Sequence, residues 1–484
     1  MSTLIGFEEH LDAHVKRERA AVRLSSMTGQ LLYEKGVELV FFRNHLVDLS
    51  VAEILNLHKY ALSVIGKPVD IDVSSSLAKA LTTIDLAPSK LDIGRLAYEY
   101  SQEKENYNDN QVAFLKDKLR DFIGPDKFKM NPRDVVLYGF GRIGRLAARE
   151  LIKQAGKGQQ LRLRAIVTRN TDPVILEKRA ALLRNDSVHG AFDGSVELDV
   201  ESKVMRINGM SVQMIEAKNP EDIDYTEYGI NNALVIDNTG VFNDKESLER
   251  HLQSKGVSRV ILTAPGKGIP NIVYGINQED LDLEKQKIFS AASCTTNAIS
   301  PILKVVNDKF GVVKGHVETI HAYTNDQNLL DNMHKKPRRG RSAAINMVIT
   351  STGAGKAVTK VIPDLDGKLT ANAVRVPTPN GSLAILSLEL GREVNVEEIN
   401  KAIKEEALNG KLINQIYYSV DDEMVSNDII GNTCCSVFDS PSTLVSNDKK
   451  NVVLYTWYDN EFGYTKQVIR LAKYVAKVRR LIYY

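Results

Sequence analysis

Cys294 is the residue whose type and surroundings best suit covalent chemistry. It stands in a polar stretch, residues 293–297, and the apolar side chains of Ile299, Ile302 and Leu303 follow at helical spacing. A helix is therefore predicted to begin close to Cys294. Free N–H groups and a partial positive charge at a helix start favour a thiolate over a thiol. The position predicts a nucleophile, although a lone cysteine is also often just a small buried apolar residue.

A histidine with a suitable setting lies further along the chain. His321 follows the β-like run at residues 317–320. A histidine at a strand end can act as the base for a nucleophilic cysteine if the fold brings the two side chains together. It can equally be structural, because a single residue carries no information about geometry.

A glycine-rich turn at residues 139–144 has the pattern of a dinucleotide-binding loop. It follows the apolar run at 135–138 and precedes an amphipathic stretch, which is the strand, turn and helix order that the motif requires. Gly139 would form the tight turn, Gly141 would let a pyrophosphate approach the backbone, and Gly144 would let the helix pack on its strand. The predicted cofactor site also includes Phe140, Arg142 and Ile143. A turn of this kind can also be purely structural.

Further apolar runs predict the sheet that would carry this turn. They lie at residues 161–167, 233–236 and 257–262, and their spacing suits strands of one parallel sheet. The sequence therefore predicts an α/β fold with a Rossmann-type dinucleotide-binding domain.

The first 130 residues read as helical. Ser50 and Glu53 fit a capping box, and a second start follows Pro88, with Ile93 and Leu96 at helical spacing. We therefore expect an all-α N-terminal extension over residues 1–130. Nothing in its pattern indicates a particular chemistry.

Composition narrows the classes of partner. The 63 basic and 61 acidic residues nearly balance, so no nucleic acid or anionic membrane is expected as a partner. Three cysteines are too few for a disulfide framework, and no Cys/His cluster indicates a metal. No signal peptide or apolar stretch of about 18 residues is present. These features predict a cytoplasmic protein that binds small molecules and further copies of itself.

Six motifs carry a resemblance to a known family. They are GFGRIGR (139–145), SCTTN (293–297), HA (321–322), STGAGKAV (351–358), RVPTPN (375–380) and WYDNEFGY (457–464). In this order and over about residues 133–480, the chain resembles glyceraldehyde-3-phosphate dehydrogenases. The resemblance implies a Rossmann-type domain at 131–293, completed by a C-terminal helix at 462–484, and an α+β catalytic domain at 294–461.

The resemblance also implies a reaction. Glyceraldehyde 3-phosphate would be oxidised to 1,3-bisphosphoglycerate through a thiohemiacetal and a thioester on Cys294. His321 would form an ion pair with Cys294, lower its pKa and accept the hydroxyl proton. Asn460 would orient the nicotinamide of NAD or NADP. A homo-oligomer, expected to be a tetramer, is implied as well.

Two anion sites follow from the same resemblance. Thr324 and Arg375 would bind the substrate phosphate. The attacking inorganic phosphate would be bound by Ser293, Arg341, Thr352 and Gly353, and Thr295 is a further candidate for binding substrate or phosphate. The basic run at 335–341 could also be a solvated loop. Asp326 departs from the common pattern and would repel a phosphate unless its carboxylate is turned away.

Cofactor choice is left open between two residues. The predicted second strand at 161–167 runs into Thr168 and Arg169, and Asp172 follows. If Arg169 occupies the strand end, its guanidinium suits the 2′-phosphate of NADP. If Asp172 comes round to that position, it suits the ribose 2′-hydroxyl of NAD. The closer position of Arg169 favours use of NADP.

Two other functions compete with this one. The first is an erythrose-4-phosphate dehydrogenase, which the sequence HAYTNDQ (321–327) also resembles. The second is a catalytically idle scaffold or binding protein built on the dehydrogenase fold. The presence of Cys294, His321 and Arg375 together argues against the scaffold.

Overall fold

The chain, seen here in a computed structural model that describes residues 6–124 and 128–484, divides into two compact units. The first contains the described residues up to Asn131, together with Gly156–Gln160 and Val478–Tyr484. The second contains Pro132–Ala155 and Leu161–Lys477. The change of unit near residue 131 falls where the sequence pattern changes from helical to α/β.

The first unit combines helices with a small sheet. Its helices are α1 (Phe7–Gln30), α2 (Val51–Ile65), α3 (Ile71–Thr82), α4 (Ile93–Glu103) and α5 (Gln111–Lys118). Its strands are β1 (Glu38–Phe41), β2 (Asn44–His45), β3 (Ser89–Asp92) and β22 (Leu481–Tyr483), in the sheet order β2-β1-β3-β22. The expected helices are present, and Ser50 and Glu53 form the capping box that begins α2.

The expectation that this region is all-α is wrong. β1 and β3 are each only four residues long, and all four residues of β1 are buried. Runs this short show no alternation of apolar and polar residues, so periodicity gives no strand signal. Their pairing also depends on β22, which lies near the other end of the chain.

The predicted C-terminal helix also ends early. The helix α12 (Phe462–Val475) stops well before residue 484, and Lys477 has φ 57°, a left-handed value that interrupts a helix. Leu481–Tyr483 then pair with Ser89–Leu91 as parallel strands. The last residues therefore belong to the first unit, and the helix at 476–484 was predicted wrongly.

The N-terminal part of the second unit is the predicted Rossmann-type sheet. Its elements are β4 (Arg133–Tyr138), α6 (Arg142–Lys153), β5 (Leu161–Thr168), α7 (Pro173–Arg184), β6 (Asn185–Asp186), β7 (Gly190–Ala191), β8 (Val196–Asp199), β9 (Val204–Ile207), β10 (Met210–Glu216), β11 (Ala233–Asp237), α8 (Lys245–Gln253), β12 (Val257–Leu262) and β13 (Ile288–Ser290). The strand order is β13-β12-β11-β4-β5-β10-β9-β8. β5 and β11 lie on opposite sides of β4, so the order reverses there. Ligands bind at such a point, outside the carboxyl ends of the strands.

The rest of the second unit forms a second eight-stranded sheet with α9 packed against it. Its elements are α9 (Cys294–Phe310), β14 (Val312–Ala322), β15 (Val348–Thr350), α10 (Ala354–Thr359), β16 (Leu369–Val376), β17 (Ser382–Leu390), α11 (Val396–Leu408), β18 (Ile416–Ser419), β19 (Ser436–Asp439), β20 (Leu444–Val445), β21 (Asn451–Tyr458) and α12. The order is β15-β16-β14-β17-β21-β19-β18, with β20 beside β21. β14 and β16 are parallel, and their register sets His321 opposite Arg375.

Candidate active site

Cys294 is the first residue of α9, as its polar surroundings predicted. Ser293 is the N-cap, and its Oγ accepts a hydrogen bond from the Thr296 N–H at 3.0 Å. Ala292 has φ 54°, which is rare for a residue with a side chain. The strained turn and the cap together fix the thiol at the start of the helix. The side chain of Ser293 is occupied by this capping role, since its Oγ also pairs with Thr296 Oγ1 at 2.7 Å.

His321 lies next to the thiol. Its Nε2 is 3.5 Å from Cys294 Sγ, so the fold joins two residues that are remote in sequence. Its Nδ1 is 2.7 Å from both the Ala322 carbonyl oxygen and Arg375 Nη1. The two contacts require opposite tautomers, because Nδ1 must donate to Ala322 but accept from Arg375. A proton on Nδ1 leaves Nε2 free to accept the proton of the thiol.

Electrostatics in this pocket do not favour the ion pair expected from the sequence. Burial raises the pKa of the Cys294 thiol, although the charge of Arg375 acts in the opposite direction. Burial, followed by the charge of Arg375, lowers the pKa of His321 to about 3. A neutral thiol beside a neutral imidazole is therefore the favoured state of the protein alone. The sequence could not indicate this, because desolvation depends on packing.

Tyr458 supports the imidazole from β21, which is separated from β14 by β17. Its hydroxyl lies 2.6 Å from Thr319 Oγ1 and 3.1 Å from Thr295 Oγ1, and its ring meets His321 edge-on with centroids 5.8 Å apart. The Thr295 hydroxyl is thus held in a buried network, which does not suit its expected role as a phosphate ligand. Sequence reasoning did not select Tyr458, although it lies in the WYDNEFGY motif.

Two arginines make this region strongly positive. Arg375 Nη1 donates to the Ala322 carbonyl at 2.8 Å, while its Nε is buried without a partner. Arg339 donates to Thr350 Oγ1 at 3.1 Å, and its charge adds to burial in lowering the pKa of Arg375. A buried N–H without an acceptor and two cations that repel each other suit an anionic ligand.

Arg341 does not belong to this cluster. Its side chain is 65% exposed and pairs with Asp331 at 2.9 Å, whereas the side chain of Arg339 is only 13% exposed. The structure therefore brings Arg339, which sequence reasoning did not select, close to Arg375, and it leaves the predicted Arg341 in an exposed ion pair. The basic run itself is visible in the sequence, but the direction of each arginine side chain depends on the short 3₁₀ turn Pro337–Gly340.

The remaining anion-site candidates occupy two loops. Thr324 lies just beyond β14, and its carbonyl accepts the Gln327 N–H at 2.8 Å. Asp326 is turned towards Arg339, with which it forms an ion pair, so its charge is offset. Thr352 Oγ1 accepts the Ala354 N–H at 3.2 Å. Gly353 faces open space, since a Cβ built there would meet no atom within 4 Å.

The glycine turn has the backbone geometry that its pattern predicted. Gly139 has φ 95°, and a Cβ on Gly144 would lie 2.4 Å from the Gly139 carbonyl oxygen. A Cβ on Gly141, by contrast, would meet no atom within 4 Å. Gly139 and Gly144 are thus required by the fold itself. Gly141 precedes the first residue of α6 and leaves its backbone open to a ligand.

A pocket of about 400 Å³ lies against this turn. It is lined by the Gly139–Gly141 backbone and by residues that follow β5, β10 and β11. Phe140 lines the pocket. The Arg142 side chain pairs with Glu461 and Asp186 instead, so only its backbone is available at the helix start.

Comparison with known proteins gives the family. Residues 133–245 match the NAD binding domain of glyceraldehyde 3-phosphate dehydrogenase, and residues 293–460 match its C-terminal domain. A glyceraldehyde-3-phosphate dehydrogenase of Clostridium pasteurianum is 42% identical over 352 residues, 72% of this chain and 99% of the relative. One from Geobacillus stearothermophilus is 41% identical over 343 residues, 71% of this chain and 98% of the relative. The chain belongs to the glyceraldehyde-3-phosphate dehydrogenase family.

Another relative matches a longer part of the chain than these two do. A glyceraldehyde-3-phosphate dehydrogenase-like protein of Pseudomonas aeruginosa (strain UCBPP-PA14) is 46% identical over 456 residues, 93% of this chain and 98% of the relative. A match of that length must extend well into the first unit. The N-terminal unit is therefore shared with a relative and is not peculiar to this dehydrogenase.

As a member of this family, the chain is an oxidoreductase that uses a nicotinamide cofactor, NAD or NADP, and the pocket fits such a group. The open backbone at Gly141 can accept a pyrophosphate. Asn460 lies beside the active site, where Ser382 Oγ donates to its Oδ1 at 2.8 Å and accepts the Ala322 N–H at 3.1 Å. Ser382 thus links Asn460 to the His321 strand, a contact that sequence reasoning missed.

The two candidates for cofactor choice separate clearly. Arg169 lines the pocket beyond the end of β5. Asp172 is the N-cap residue of α7 and accepts a hydrogen bond from Asn170 Nδ2 at 2.8 Å, so it faces its own loop. Across the described ranges, no group of three or more His, Cys, Asp or Glu residues could hold a metal ion. None of the helices in those ranges is long and apolar enough to cross a membrane.

Proposed function

We propose that this dehydrogenase oxidises glyceraldehyde 3-phosphate to 1,3-bisphosphoglycerate, reversibly and with inorganic phosphate as co-substrate. The main support is the 3.5 Å contact between Cys294 Sγ and His321 Nε2 beside two arginines. A nucleophile, a base and a cationic surface then lie within one site, which suits an aldehyde that carries a phosphate. The idle scaffold explains none of these contacts.

In the proposed reaction, His321 Nε2 takes the proton of the Cys294 thiol as the sulfur attacks the aldehyde carbon, and returns it to the carbonyl oxygen, so that a thiohemiacetal forms. His321 Nε2 accepts the proton of its hydroxyl group as the hydride leaves, and a thioester is left on Cys294. A nicotinamide held by the Gly139–Gly141 turn and Asn460 would supply the hydride acceptor. Inorganic phosphate then attacks the thioester carbon, the C–S bond breaks, and the acyl phosphate leaves. The Cys294 N–H at the start of α9 is the proposed donor to the developing oxyanion.

Arg375 and Arg339 are the proposed anion-binding groups. The unpartnered Nε of Arg375 can donate to a phosphate oxygen without breaking an existing hydrogen bond. Asp326, which would otherwise repel a phosphate, is paired with Arg339. Thr324, Thr352 and Gly353 lie on loops that can supply further donors. An anion beside Arg375 would also offset the charge that depresses the basicity of His321.

For the cofactor, we propose substantial use of NADP through Arg169. Its guanidinium lines the pocket beyond β5, the strand whose end meets the adenosine ribose in dinucleotide folds. Asp172, the alternative, is engaged with Asn170. NAD is not excluded by this arrangement, since a ribose 2′-hydroxyl also fits beside a cation.

Self-association is proposed through the segment 329–349. Six large apolar side chains there are more than half exposed: Leu329, Leu330, Met333, Ile345, Met347 and Ile349. Exposed apolar groups in such number indicate a protein contact, and we propose a second copy of the chain within a tetramer. A reducing, cytoplasmic setting suits the three free thiols of Cys294, Cys434 and Cys435.

The deciding experiment compares two aldehydes with and without phosphate. Formation of reduced cofactor is followed with glyceraldehyde 3-phosphate and with erythrose 4-phosphate, and the product is trapped with hydroxylamine to detect an acyl phosphate. We expect faster turnover of glyceraldehyde 3-phosphate and a strict requirement for phosphate. Faster turnover of erythrose 4-phosphate would favour the alternative enzyme. Turnover that ignores phosphate would rule out the phosphorylating reaction.

A further inference from the structure

The pocket beside the glycine turn has a positively charged wall. Arg169, Arg179 and Lys218 all line it, and no Asp or Glu among the described residues does. Arg179 lies in α7, whereas Arg169 and Lys218 follow β5 and β10. These two strands are parallel neighbours, with Glu216 opposite Thr168, so Arg169 and Lys218 emerge at the same edge of the sheet.

These three cations are not neutralised by the protein. Within residues 6–124 and 128–484, none of their side chains has an ion pair or a hydrogen bond, and Arg179 Nε is buried without a partner. Burial, followed by the charge of Arg145, lowers the pKa of Arg179. Leaving a partly buried guanidinium beside other cations is costly unless an anion binds there.

Nearby arginines show that this is a local feature. Arg142 pairs with Glu461, Arg145 pairs with Asp186 at 3.4 Å, and Arg184 donates to the Val196 carbonyl. Each of these side chains is engaged by the fold. Arg145 Nε is also buried without a partner, but its guanidinium has an ion pair, whereas neither Arg169 nor Arg179 has one among the described residues.

The carboxylates that could instead bind a ribose hydroxyl are engaged elsewhere. Asp172 bonds with Asn170. Glu216 accepts the N–H and hydroxyl of Thr171 at 3.1 and 2.9 Å. Asp237, which ends β11, accepts from the Thr239 N–H at 2.8 Å and pairs with His251 at 2.9 Å. The pocket therefore offers cations, and no free carboxylate, to the adenosine end of a dinucleotide.

We propose that Arg179 and Lys218, together with Arg169, form a binding site for the 2′-phosphate of NADP. This inference rests on the proposed dinucleotide role of the pocket and extends it to two residues outside the glycine motif. The pyrophosphate is assigned to the turn at Gly141, so the wall formed by α7 and the end of β10 remains for a further phosphate. Arg179 supplies directed N–H donors, and Lys218 supplies a mobile charge.

The test measures binding of two nucleotides that carry no nicotinamide. Calorimetry compares 2′,5′-ADP with 5′-ADP for the wild type and for Arg179→Met, Lys218→Met and Arg179→Lys. Lys178→Met is the matched control, because Lys178 is an exposed cation on the same helix that does not line the pocket. We expect the wild type to bind 2′,5′-ADP at least about tenfold more tightly than 5′-ADP, since charge-assisted hydrogen bonds to the additional phosphate strengthen binding.

Each methionine variant should lose about tenfold or more in affinity for 2′,5′-ADP and change little for 5′-ADP. Arg179→Lys should keep part of the preference, and Lys178→Met all of it. Equal losses for both nucleotides would assign Arg179 to the pyrophosphate and overturn the proposal. Equal affinity of the wild type for 2′,5′-ADP and 5′-ADP would also overturn the proposal. This test is independent of the proposed reaction, because binding of 2′,5′-ADP needs no turnover. The preference for 2′,5′-ADP should therefore persist in Cys294→Ser, and also if the enzyme does not oxidise glyceraldehyde 3-phosphate.

Discussion

The buried cluster around Glu38 in the first unit and the arginine sites of the second unit differ in how their charges are paired. In the first unit, Glu38 is buried and receives Arg480 at 2.9 Å, His45 at 2.6 Å and Lys90 at 3.4 Å. Burial alone would raise the pKa of Glu38, but Lys90, His45 and Arg480 together hold it well below its usual value. The Glu38 charge is therefore balanced within the fold.

In the second unit, the arginines at the two ligand-facing sites keep free N–H groups. Arg375 Nε and Arg179 Nε are both buried without partners. A balanced cluster stabilises the fold, whereas an unbalanced one has capacity left for an anion. Substitutions in the two units should accordingly change different quantities, stability in the first and ligand binding or turnover in the second.

The largest effect is expected from Cys294→Ser. A hydroxyl is far less acidic than a thiol, and His321 with a pKa near 3 is too weak a base to ionise it. Turnover should fall on the order of 10⁴-fold or more, while the affinity for dinucleotide and the urea midpoint stay close to wild type. Steady-state kinetics and calorimetry measure the two effects. Turnover near the wild-type rate would remove Cys294 from the mechanism.

Glu38→Gln should have the largest effect on stability. Removing the carboxylate takes away the buried partner of Arg480, and breaking a buried pair costs about 3–5 kcal/mol. Because the folded pKa is depressed, this stabilisation is present above the unfolded value of about 4.3 and is lost as the pH falls through the lower folded value.

Urea unfolding followed by circular dichroism measures that loss. Glu34→Gln is the control, since Glu34 is an exposed acidic residue of the same unit. Trp457 is the single tryptophan and lies in the second unit, so its fluorescence reports on that unit separately. A loss no larger than that of Glu34→Gln would mean that the cluster does not stabilise the fold.

The sequence predicted those features that depend on neighbouring residues. The helix start at Cys294 follows from the polar cap and the spacing of Ile299 and Ile302, and the glycine turn follows from the strand and helix beside it. Pairings between distant parts of the chain could not be predicted in this way. The strand Leu481–Tyr483 needs a partner near residue 90, and that partner is too short to show periodicity.

The electrostatic state of the site was also beyond local patterns. A helix start suggested a lowered thiol pKa, but burial outweighs it at Cys294. In the same way, the basic run at 335–341 did not indicate that Arg339 would be mostly buried and Arg341 exposed. Which of two residues in such a loop points inward is decided by the turn and by Asp326, which engages Arg339.

Phosphate should accelerate alkylation of Cys294 at neutral pH. With the imidazole neutral above about pH 3 and the thiol pKa raised by burial, alkylation by iodoacetamide should be slow at pH 7 and rise beyond the ordinary thiol value of about 8.5. Arg375 is in direct contact with His321, whereas the sulfur lies on the other side of the ring. The charge of Arg375 therefore destabilises the imidazolium of His321 more than it stabilises the thiolate of Cys294.

An anion that offsets Arg375 should then promote transfer of the proton from Cys294 to His321. We expect a shift in the pH–rate profile by about one unit, or roughly tenfold in rate at pH 7. The effect should vanish in Arg375→Met and in His321→Asn. Slower alkylation with phosphate in the wild type would mean that the anion merely shields the thiol.

The smallest effect is expected from Arg341→Ala. Its ion pair with Asp331 joins side chains that are 65% and 58% exposed, and such pairs contribute at most about 1 kcal/mol. The KM for inorganic phosphate should change less than about twofold. Arg339→Ala is the matched comparison, two residues away, where loss of a partly buried charge beside Arg375 should raise this KM about tenfold or more. If Arg341→Ala instead raised the KM as much as Arg339→Ala, the loop would turn towards the site when phosphate binds, and the exposed arginine would be a phosphate ligand as the sequence first suggested.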